Sequence, residues 1–313
     1  MSNNVTRFLY KLLLLGIVLY GLDFLIGRAL NHFFFTQKYG LDYRVTYSLN
    51  ETKADLLIFG SSKAKHHYDP KVFEDSTHLS YYNTGREGTN ILYQYAILKC
   101  ILKRYQPKII ILDITRKTFS AANAGERISL LLPYYRSHPE IRDLLDSKSP
   151  FEKIKRISHI YPFNGMIYNI LARNTTFLKK KGYDENDRGY VPVKKGNPDY
   201  LQSLLKDSLY TQIPYYTIDS PSVATFEKFA KDCEDANVRL YVITSPYIGT
   251  KYLADPSSQI AKSICEKHKA TFIDDSFLPG ISDNLDYFRD GDHLDDEGAA
   301  AFSKQIAGVI KRR

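Results

Sequence analysis

The 313-residue chain contains no tryptophan and only three cysteines. The small number of cysteines limits the kinds of metal site and disulfide framework that it can contain. Cys100, Cys233 and Cys265 are odd in number, lie far apart and each fall inside a helical pattern, so neither a metal site nor a disulfide framework is indicated. Glycine and proline, at 17 and 13 residues, are too few for a fibrous or low-complexity chain. These absences leave a globular protein whose cysteines are small core residues.

The positive charge lacks the clustering of a nucleic-acid-binding protein. The formal net charge is +8, and the densest basic runs are 179–181 and 194–195. Neither run belongs to a recognisable nucleic-acid-binding module. We interpret them as a solvated basic face, with anionic glycan or lipid head groups as the functional alternative, and predict no nucleic-acid partner.

One apolar run occupies the amino terminus. From Phe8 to Gly27 the only charged side chains are Lys11 and Asp23, and about 20 helical residues suffice to cross the roughly 30 Å core of a bilayer. No A-x-A-like cleavage site follows the run, which favours an uncleaved signal anchor with Asp23 near the far interface or against a partner helix. A buried core helix is the alternative. Basic residues flank both ends, so charge alone does not set the orientation.

The rest of the chain alternates between short apolar runs and helical patterns. Predicted strands cover residues 54–59, 78–82, 108–114, 239–244 and 271–274, and predicted helices cover about 90–105, 222–236 and 258–269, with a last helix from 296. Short buried runs between helices are typical of parallel strands. We therefore predict an α/β fold with a doubly wound, mostly parallel, five-stranded, flavodoxin-like sheet.

The alternation stops between about residues 119 and 215. This stretch holds short helical patterns, at 140–145 and 151–157, and turn clusters at 182–189 and 196–198. We predict a helical insertion over the strand ends, where ligands bind in doubly wound sheets. The predicted organisation is a transmembrane anchor at 1–30 and an α/β domain at 31–313 that contains the insertion.

Two distant segments carry the residue types that acyl transfer by a hydroxyl requires, namely a nucleophile at a turn, an imidazole and a carboxylate that orients it. Ser62 follows the first strand, and Asp290 and His293 stand three positions apart before the last helix. That spacing lets the carboxylate reach the imidazole Nδ1 while Nε2 faces the serine. Taken singly, Ser62 is also typical of a helix cap. Asp290, Asp292 and His293 could also ligate a metal, but no second ligand cluster completes such a site, and no metal is predicted.

His66 and His67 follow Ser62 closely. Four and five positions beyond it they could face the same groove, but a surface or capping role is the simpler interpretation. The Asp69-Pro70 pair is interpreted as a turn that ends this segment.

Three motifs, in this order, resemble sequence blocks of the SGNH (GDSL-like) superfamily of hydrolases and acyltransferases. Gly60-Ser61-Ser62 resembles the first block, Asn83-Thr84-Gly85-Arg86-Glu87-Gly88 the second, and Asp290-Gly291-Asp292-His293-Leu294 the fifth. The resemblance covers about residues 54–117 and 220–311, and leaves the insertion unexplained.

The resemblance implies a role for each matching residue. Ser62 would be the nucleophile, His293 the general base and acid, and Asp290 the carboxylate that orients it. Gly88, together with the Ser62 backbone N–H, would donate hydrogen bonds to the oxyanion, because a glycine lets the reacting carbonyl approach the backbone closely.

The third block of the family departs from its usual form. It normally supplies an asparagine as a further oxyanion donor, whereas residues 113–117 here read Asp-Ile-Thr-Arg-Lys. Thr115 or Arg116 could substitute for it, or Asn90 could reach in. Losing one such donor typically lowers a rate about a hundredfold to a thousandfold, so weak hydrolysis is expected.

The single anchor, the Gly-Ser-Ser first block and the absent asparagine make the chain resemble a subgroup that works beside cell-envelope O-acyltransferases. This resemblance implies a cofactor-independent esterase or O-acyltransferase that forms an acyl-serine. Its substrate would be an O-acylated envelope polysaccharide, another glycan or a polyol, and its partner an integral-membrane acyltransferase. The location implied is a single pass through the cytoplasmic membrane with the catalytic domain outside. The alternative is a non-catalytic, membrane-tethered glycan-binding or assembly protein that keeps the fold.

Overall fold

The structure is a computed structural model that describes residues 3–123, 127–174, 188–205, 216–249 and 255–312. Contacts divide the chain into two compact units, the first of residues 1–43 and 128–182 and the second of residues 44–127 and 183–313. The boundaries expected from the sequence, an anchor at 1–30 and an insertion at 119–215, remain predictions.

Helices and strands alternate through much of the described chain. Up to residue 123 the elements are α1 (Asn3–Phe35), α2 (Leu41–Asn50), β1 (Leu56–Phe59), α3 (Ser62–His67), α4 (Pro70–Thr77), β2 (Tyr81–Asn83), α5 (Ile91–Arg104) and β3 (Ile109–Asp113). Beyond it they are α6 (Arg142–Asp146), α7 (Glu152–Lys155), α8 (Ile167–Asn174), α9 (Pro198–Leu204), α10 (Ser220–Asp235), β4 (Arg239–Thr244), α11 (Pro256–Lys267), β5 (Thr271–Asp274) and α12 (Asp296–Lys311).

The described strands form one five-stranded sheet in the second unit, with every pair parallel and the order β2-β1-β3-β4-β5. Leu57 lies opposite Tyr82 on one side and Ile110 on the other, and this register brings the carboxyl ends of β1 and β3 together. The predicted doubly wound, flavodoxin-like sheet is confirmed. In this fold class ligands bind beyond the carboxyl ends of the strands, where the strand order reverses beside β1.

Helices cover both faces of the sheet, and its strands are therefore buried on both sides. Ile58 and Ile111 contribute to one core, which Tyr68 of the α3–α4 connection and Phe302 of α12 complete. On the opposite face, the Phe59 ring lies 5.5 Å from that of Phe229 in α10. The continuous burial of β1 and β3 fits parallel strands between two helical layers.

The Asp69-Pro70 pair begins a second helix after α3, where the sequence predicted a turn. Asp69 is the N-cap of α4, where its carboxylate accepts a hydrogen bond from the Lys71 backbone N–H, and Pro70 is the first helical residue. Asn197 and Pro198 begin α9 in the same way. Proline is tolerated at this position because the first N–H of a helix has no intrahelical partner. Both pairs therefore start helices instead of forming isolated turns.

The first unit contains the apolar amino-terminal run. In the described part of the chain, α1 is the one helix long and apolar enough to cross a membrane. Its side chains are exposed as far as Tyr20, whereas Gly27, Leu30 and Phe34 are buried inside the unit. The helix is thus a candidate membrane span that continues into folded protein at its carboxyl end.

Candidate active site

Ser62 lies at the first turn beyond β1, at the carboxyl edge of the sheet. The chain turns at Gly60, whose φ is +141° and where an added Cβ would lie 2.7 Å from the Asp113 carbonyl oxygen. Only glycine fits both conditions without strain. Ser61 then occupies the N-cap position of α3, and Ser62 is the first residue of that helix. This local geometry presents the Ser62 side chain where doubly wound sheets bind ligands.

The turn is held by a buried glutamine. The Gln94 side chain accepts a hydrogen bond from the Gly60 N–H at 3.2 Å and donates one to the Gly60 carbonyl at 2.8 Å. The Arg86 N–H donates to the same carbonyl at 3.1 Å. Because these bonds fix both polar groups of Gly60, the position of Ser62 is determined by α5 and by the second motif.

His293 lies beside Ser62, although 231 positions separate them in the chain. The Ser62 Oγ and the His293 Nε2 are 2.8 Å apart, which is hydrogen-bond distance. His293 sits in the connection between β5 and α12, and this connection folds back on itself through a backbone bridge between Phe288 and Leu294. The two segments singled out in the sequence therefore meet at one place.

Asp290 holds the other ring nitrogen of His293. The Nδ1 atom lies 2.9 Å and 3.0 Å from the two carboxylate oxygens, and the Asp292 and His293 backbone N–H groups both donate to Oδ1 at 2.9 Å. Burial raises the pKa of Asp290, but its hydrogen bond to the His293 ring and the two backbone donors outweigh burial and leave that pKa below its usual value. An ionised carboxylate only accepts hydrogen bonds, so Nδ1 carries the ring proton and Nε2 is left to accept from Ser62.

His67 is hydrogen-bonded to the loop that contains His293. It is buried, whereas the sequence interpretation placed it at the surface or in a cap. Its Nε2 accepts a hydrogen bond from the Leu294 N–H at 3.0 Å, so its proton is on Nδ1, which donates to the Ser245 Oγ at 2.9 Å. The ring is completely buried. Burial, followed by the positive charge of Lys63, lowers the pKa of His67 well below its ordinary value. A neutral His67 therefore anchors the residue that follows His293.

His66 is buried as well, so the expected surface role is also wrong for this residue. Its Nδ1 lies 2.6 Å from the Val191 carbonyl oxygen, and its Nε2 lies 3.2 Å from Glu87 Oε1. Both partners offer oxygen acceptors to the ring nitrogens. Lys65 adds an ion pair to Glu87 at 2.9 Å. The hydrogen bond from His66, opposed by burial and reinforced by Lys65, lowers the pKa of Glu87 to about 2.

Gly88, the expected oxyanion donor, is hydrogen-bonded to Ser61, the residue that precedes the expected nucleophile Ser62. Its backbone has a φ of +66°, and its N–H donates to the Ser61 Oγ at 3.2 Å. The Ser61 hydroxyl does not cap α3, and its proton has no acceptor among the described residues. The Ser62 N–H also lacks a partner within the described chain. Two donor groups, the Ser61 hydroxyl and the Ser62 amide, are thus left at the start of α3.

The other three residues expected near the oxyanion have different surroundings. Asn90 caps α5 by accepting from the Tyr93 N–H at 3.2 Å, and Thr115 bonds through its N–H to Thr118 Oγ1 at 2.8 Å. Both line a pocket of about 160 Å³ that also includes Ser61 and Gly88. Arg116 does not line this pocket, and its guanidinium lies 3.7 Å from the centre of the Tyr247 ring.

A buried lysine that sequence reasoning missed lies directly after Ser62. The Lys63 Nζ donates to the Ser245 carbonyl at 2.5 Å and lies 3.1 Å from the centre of the Tyr247 ring, on which Arg116 also stacks. Burial lowers the pKa of Lys63 to about 7, although the Asp113 carboxylate acts in the opposite direction. A signal for Ser245 and Tyr247 existed, since they directly follow the carboxyl end of β4.

Comparison with known proteins finds similar chains among solved structures. No family model matches the chain, and no curated protein matches it. Among solved structures, it is similar to a psychrotrophic esterase from Pseudoalteromonas sp., with 10% identity, a TM-score of 0.39, and coverage of 82% of this chain and 96% of the esterase. It is also similar to a GDSL-like lipase from Bacteroides thetaiotaomicron, with 10% identity, a TM-score of 0.39, and coverage of 87% and 98%.

The chain resembles the SGNH superfamily in its three motifs. Both TM-scores lie below 0.5, so any assignment of function depends on the geometry around Ser62.

Proposed function

We propose that this chain is a serine-dependent acyl-ester hydrolase or O-acyltransferase that works through an acyl-serine intermediate on Ser62. The observation that carries the proposal is the continuous path of hydrogen bonds from Ser62 Oγ to His293 and from His293 to Asp290. A hydroxyl is a poor nucleophile until a base takes its proton, and this path supplies both the base and the group that orients it.

In the first half-reaction the Ser62 oxygen attacks the ester carbonyl carbon while its proton moves to His293 Nε2. The imidazolium that forms is stabilised by the Asp290 carboxylate, which keeps its negative charge throughout. When the tetrahedral intermediate collapses, the ester bond breaks and His293 returns the proton to the departing alkoxide. The acyl group remains on Ser62, and the alcohol leaves neutral.

We propose that the oxyanion is held by the Ser62 N–H and by the Ser61 hydroxyl. Ser61 Oγ accepts from the Gly88 N–H, so its own proton is directed away from Gly88 and can be donated to the substrate. The accepted bond also polarises that proton, because hydrogen bonds in series strengthen one another. In this arrangement Gly88 acts through Ser61, and Ser61 supplies the donor for which the third motif has no asparagine.

In the second half-reaction water or a sugar hydroxyl attacks the acyl-serine, with His293 now taking the proton of the incoming group. The bond between Ser62 Oγ and the acyl carbon then breaks, and His293 returns the proton to the Ser62 oxygen. Hydrolysis and transfer share every residue named above and differ only in the acceptor. We propose that the acceptors are hydroxyls of a cell-envelope polysaccharide or a related polyol, and that α1 holds the catalytic unit at the outer face of the cytoplasmic membrane. An integral-membrane acyltransferase is the partner that this location suggests. The basic character of the chain suits an anionic glycan.

A fluorophosphonate probe tests the nucleophile, since it phosphonylates a serine activated by a base. The full chain in uncharged detergent should be labelled, and Ser62→Ala should lose the label completely. Ser263→Ala is a matched control because Ser263 is exposed and its side chain has no hydrogen bond within the described chain, so this variant should be labelled like the wild type. Labelling that survives Ser62→Ala would overturn the assignment.

The non-catalytic alternative gives a different outcome in the same experiment. A glycan-binding protein would stay unlabelled, while an immobilised O-acylated envelope polysaccharide would still retain both the wild type and Ser62→Ala. If the chain is labelled, mass spectrometry of the products with and without added deacylated glycan separates transfer from hydrolysis. Transfer yields acylated glycan, and hydrolysis yields free carboxylic acid.

A further inference from the structure

The first unit contains a second pocket, unrelated to the serine site and lined by three arginines. Its volume is about 320 Å³, and its walls include Arg28 of α1, Arg136, Arg156, Tyr135 and His159. All of these residues belong to the unit that carries the candidate membrane span. Arginine is suited to bidentate binding of phosphate oxygens because its donors lie in one plane.

Two of the three guanidinium groups are not neutralised by carboxylates of the described residues. Arg28 is exposed and forms no ion pair there, and the one side-chain contact of Arg136 is with His159 Nδ1 at 3.5 Å. Arg156 is different, since it pairs with Asp146, approaches Glu152 at 4.0 Å and stacks at 3.8 Å on the Tyr135 ring. The pocket therefore has a fixed, neutralised wall and two further positive charges.

Hydrogen bonds to Asp23 set the position of this pocket along α1. The Asp23 carboxylate accepts from the Ser158 hydroxyl at 2.5 Å and from the His159 N–H at 2.6 Å. Val5 to Asp23 is about 27 Å of helix at 1.5 Å per residue, close to the roughly 30 Å hydrocarbon core. Arg28 lies about 7.5 Å further along the same axis. The head-group layer on each side of a bilayer is about 5 to 8 Å thick, so Arg28 falls at the depth of lipid phosphates.

An exposed apolar face lies next to this level. Phe151, Ile154 and Ile157 are 63%, 64% and 64% exposed, and they repeat every three residues through α7 and its ends. Ile157 immediately precedes Ser158, which is hydrogen-bonded to Asp23, so this face lies beside Asp23 of α1. Large apolar side chains exposed at this depth are typical of an interfacial helix whose apolar side enters the bilayer.

We infer that the first unit rests on the bilayer surface and that the pocket of Arg28 and Arg136 binds the phosphate of an anionic phospholipid head group. The depth of Arg28, the two unneutralised charges and the adjoining apolar face all point to a lipid as the source of that phosphate. The inference depends on the proposed crossing of the membrane by α1, and it does not depend on the chemistry of Ser62.

Native mass spectrometry of the full chain, released from uncharged detergent micelles, tests the head-group preference. Dioleoylphosphatidylglycerol should be retained at least tenfold more strongly than dioleoylphosphatidylcholine. The double variant Arg28→Gln, Arg136→Gln should lose about 25-fold in affinity for the anionic lipid, since each arginine near a lipid surface contributes about fivefold. The double variant Arg239→Gln, Arg312→Gln removes two exposed arginines of the second unit and should bind like the wild type.

Three outcomes would overturn the inference. Equal retention of the two lipids would exclude a pocket that selects the anionic head group. If the Arg239→Gln, Arg312→Gln control lost as much affinity as the Arg28→Gln, Arg136→Gln variant, the loss would be explained by net charge alone. If inorganic phosphate at millimolar concentration displaced the lipid completely, the pocket would be a site for free phosphate. A chain that alkaline carbonate removes from membranes would overturn the proposed span, and that failure is distinct from the other three.

The absence of tryptophan provides an independent measurement of depth. Ile154→Trp places a single tryptophan on the apolar face, where phosphatidylcholine brominated near the ester end of its acyl chains should quench its fluorescence in nanodiscs. Lys262→Trp, on an exposed position of α11, should remain unquenched. An unquenched Ile154→Trp would show that water or a protein partner, and not lipid, covers this face.

Discussion

The Gly88 backbone N–H donates a hydrogen bond to the Ser61 hydroxyl at 3.2 Å, so the glycine that the second motif supplies is already engaged by the residue next to Ser62. Two roles for Ser61 are compatible with this contact. It either passes the donor function of Gly88 to the oxyanion or simply occupies the place that the oxyanion would take. The two roles predict opposite consequences for its removal.

We expect Ser61→Ala to lower kcat about a hundredfold to a thousandfold on an activated ester, which is the typical effect of losing one oxyanion donor. Ser61→Thr keeps the hydroxyl and should recover most of the rate. Steady-state kinetics on both variants, with circular dichroism to check folding, decide the matter. Unchanged or faster turnover in Ser61→Ala would show that the hydroxyl only occupies the donor.

Asp290 and Asp292 form a matched pair, two positions apart in the same loop. Asp290→Asn removes the charge that selects the Nδ1–H tautomer of His293, and we expect kcat to fall by about a thousandfold to ten-thousandfold. Asp292 is exposed, so Asp292→Asn should alter the rate by no more than about twofold. Comparable losses of kcat in the two variants would indicate that the rate depends on the conformation of the loop and not on the Asp290–His293 contact.

His67→Phe should destabilise the second unit by about 1 to 3 kcal/mol, because the buried Leu294 N–H loses its acceptor. The pKa of His67 is far below normal in the folded chain, so in the unfolded chain this residue binds an extra proton below about pH 6.5. Wild-type stability should therefore fall as the pH drops from about 6.5 to 5, and part of that slope should vanish in His67→Phe. Urea unfolding of the full chain in detergent measures both effects. An identical slope would mean that His67 takes up its proton without unfolding.

Lys63 predicts a pH dependence of the same sign on the alkaline side. Its folded pKa is about 7, whereas an unfolded lysine keeps its proton to about pH 10.4, so the unfolded state binds more protons between these values. The free energy of unfolding of the wild type should then rise relative to that of Lys63→Met between pH 7 and pH 9. Lys304→Met, at an exposed site of α12, serves as the reference. A constant difference between wild type and Lys63→Met across this range would contradict a neutral, buried Lys63.

The sheet was predictable because its strands are apolar runs bounded by polar residues. The last two strands were located at their observed bounds, Arg239–Thr244 and Thr271–Asp274. The helix that begins at Ser62 was not predicted, and His66 and His67 were expected at the surface although they and the neighbouring Lys63 and Lys65 are buried. These side chains are buried because Glu87, Ser245 and Val191 lie around them, and those partners come from distant parts of the chain. Sequence spacing does not reveal such partners.

The serine site was also predicted only in part. Ser62, His293 and Asp290 could be placed because their motifs have a fixed order and spacing. The part played by Ser61 could not, because Ser61 and Gly88 are 27 positions apart and their contact depends on the turn at Gly60. Asn90 was expected near the oxyanion, yet its side chain caps α5. A capping asparagine and a catalytic one look alike in a sequence.

Ser62 and His293 are 231 positions apart in the chain, so the ribosome adds His293 long after Ser62. At about 5 to 20 residues per second, some tens of seconds at the slow rate pass between the two. A nascent chain that stalls before His293 carries an unactivated hydroxyl and is inert towards esters. Reactivity is thereby withheld until translation has passed the loop that precedes the last helix.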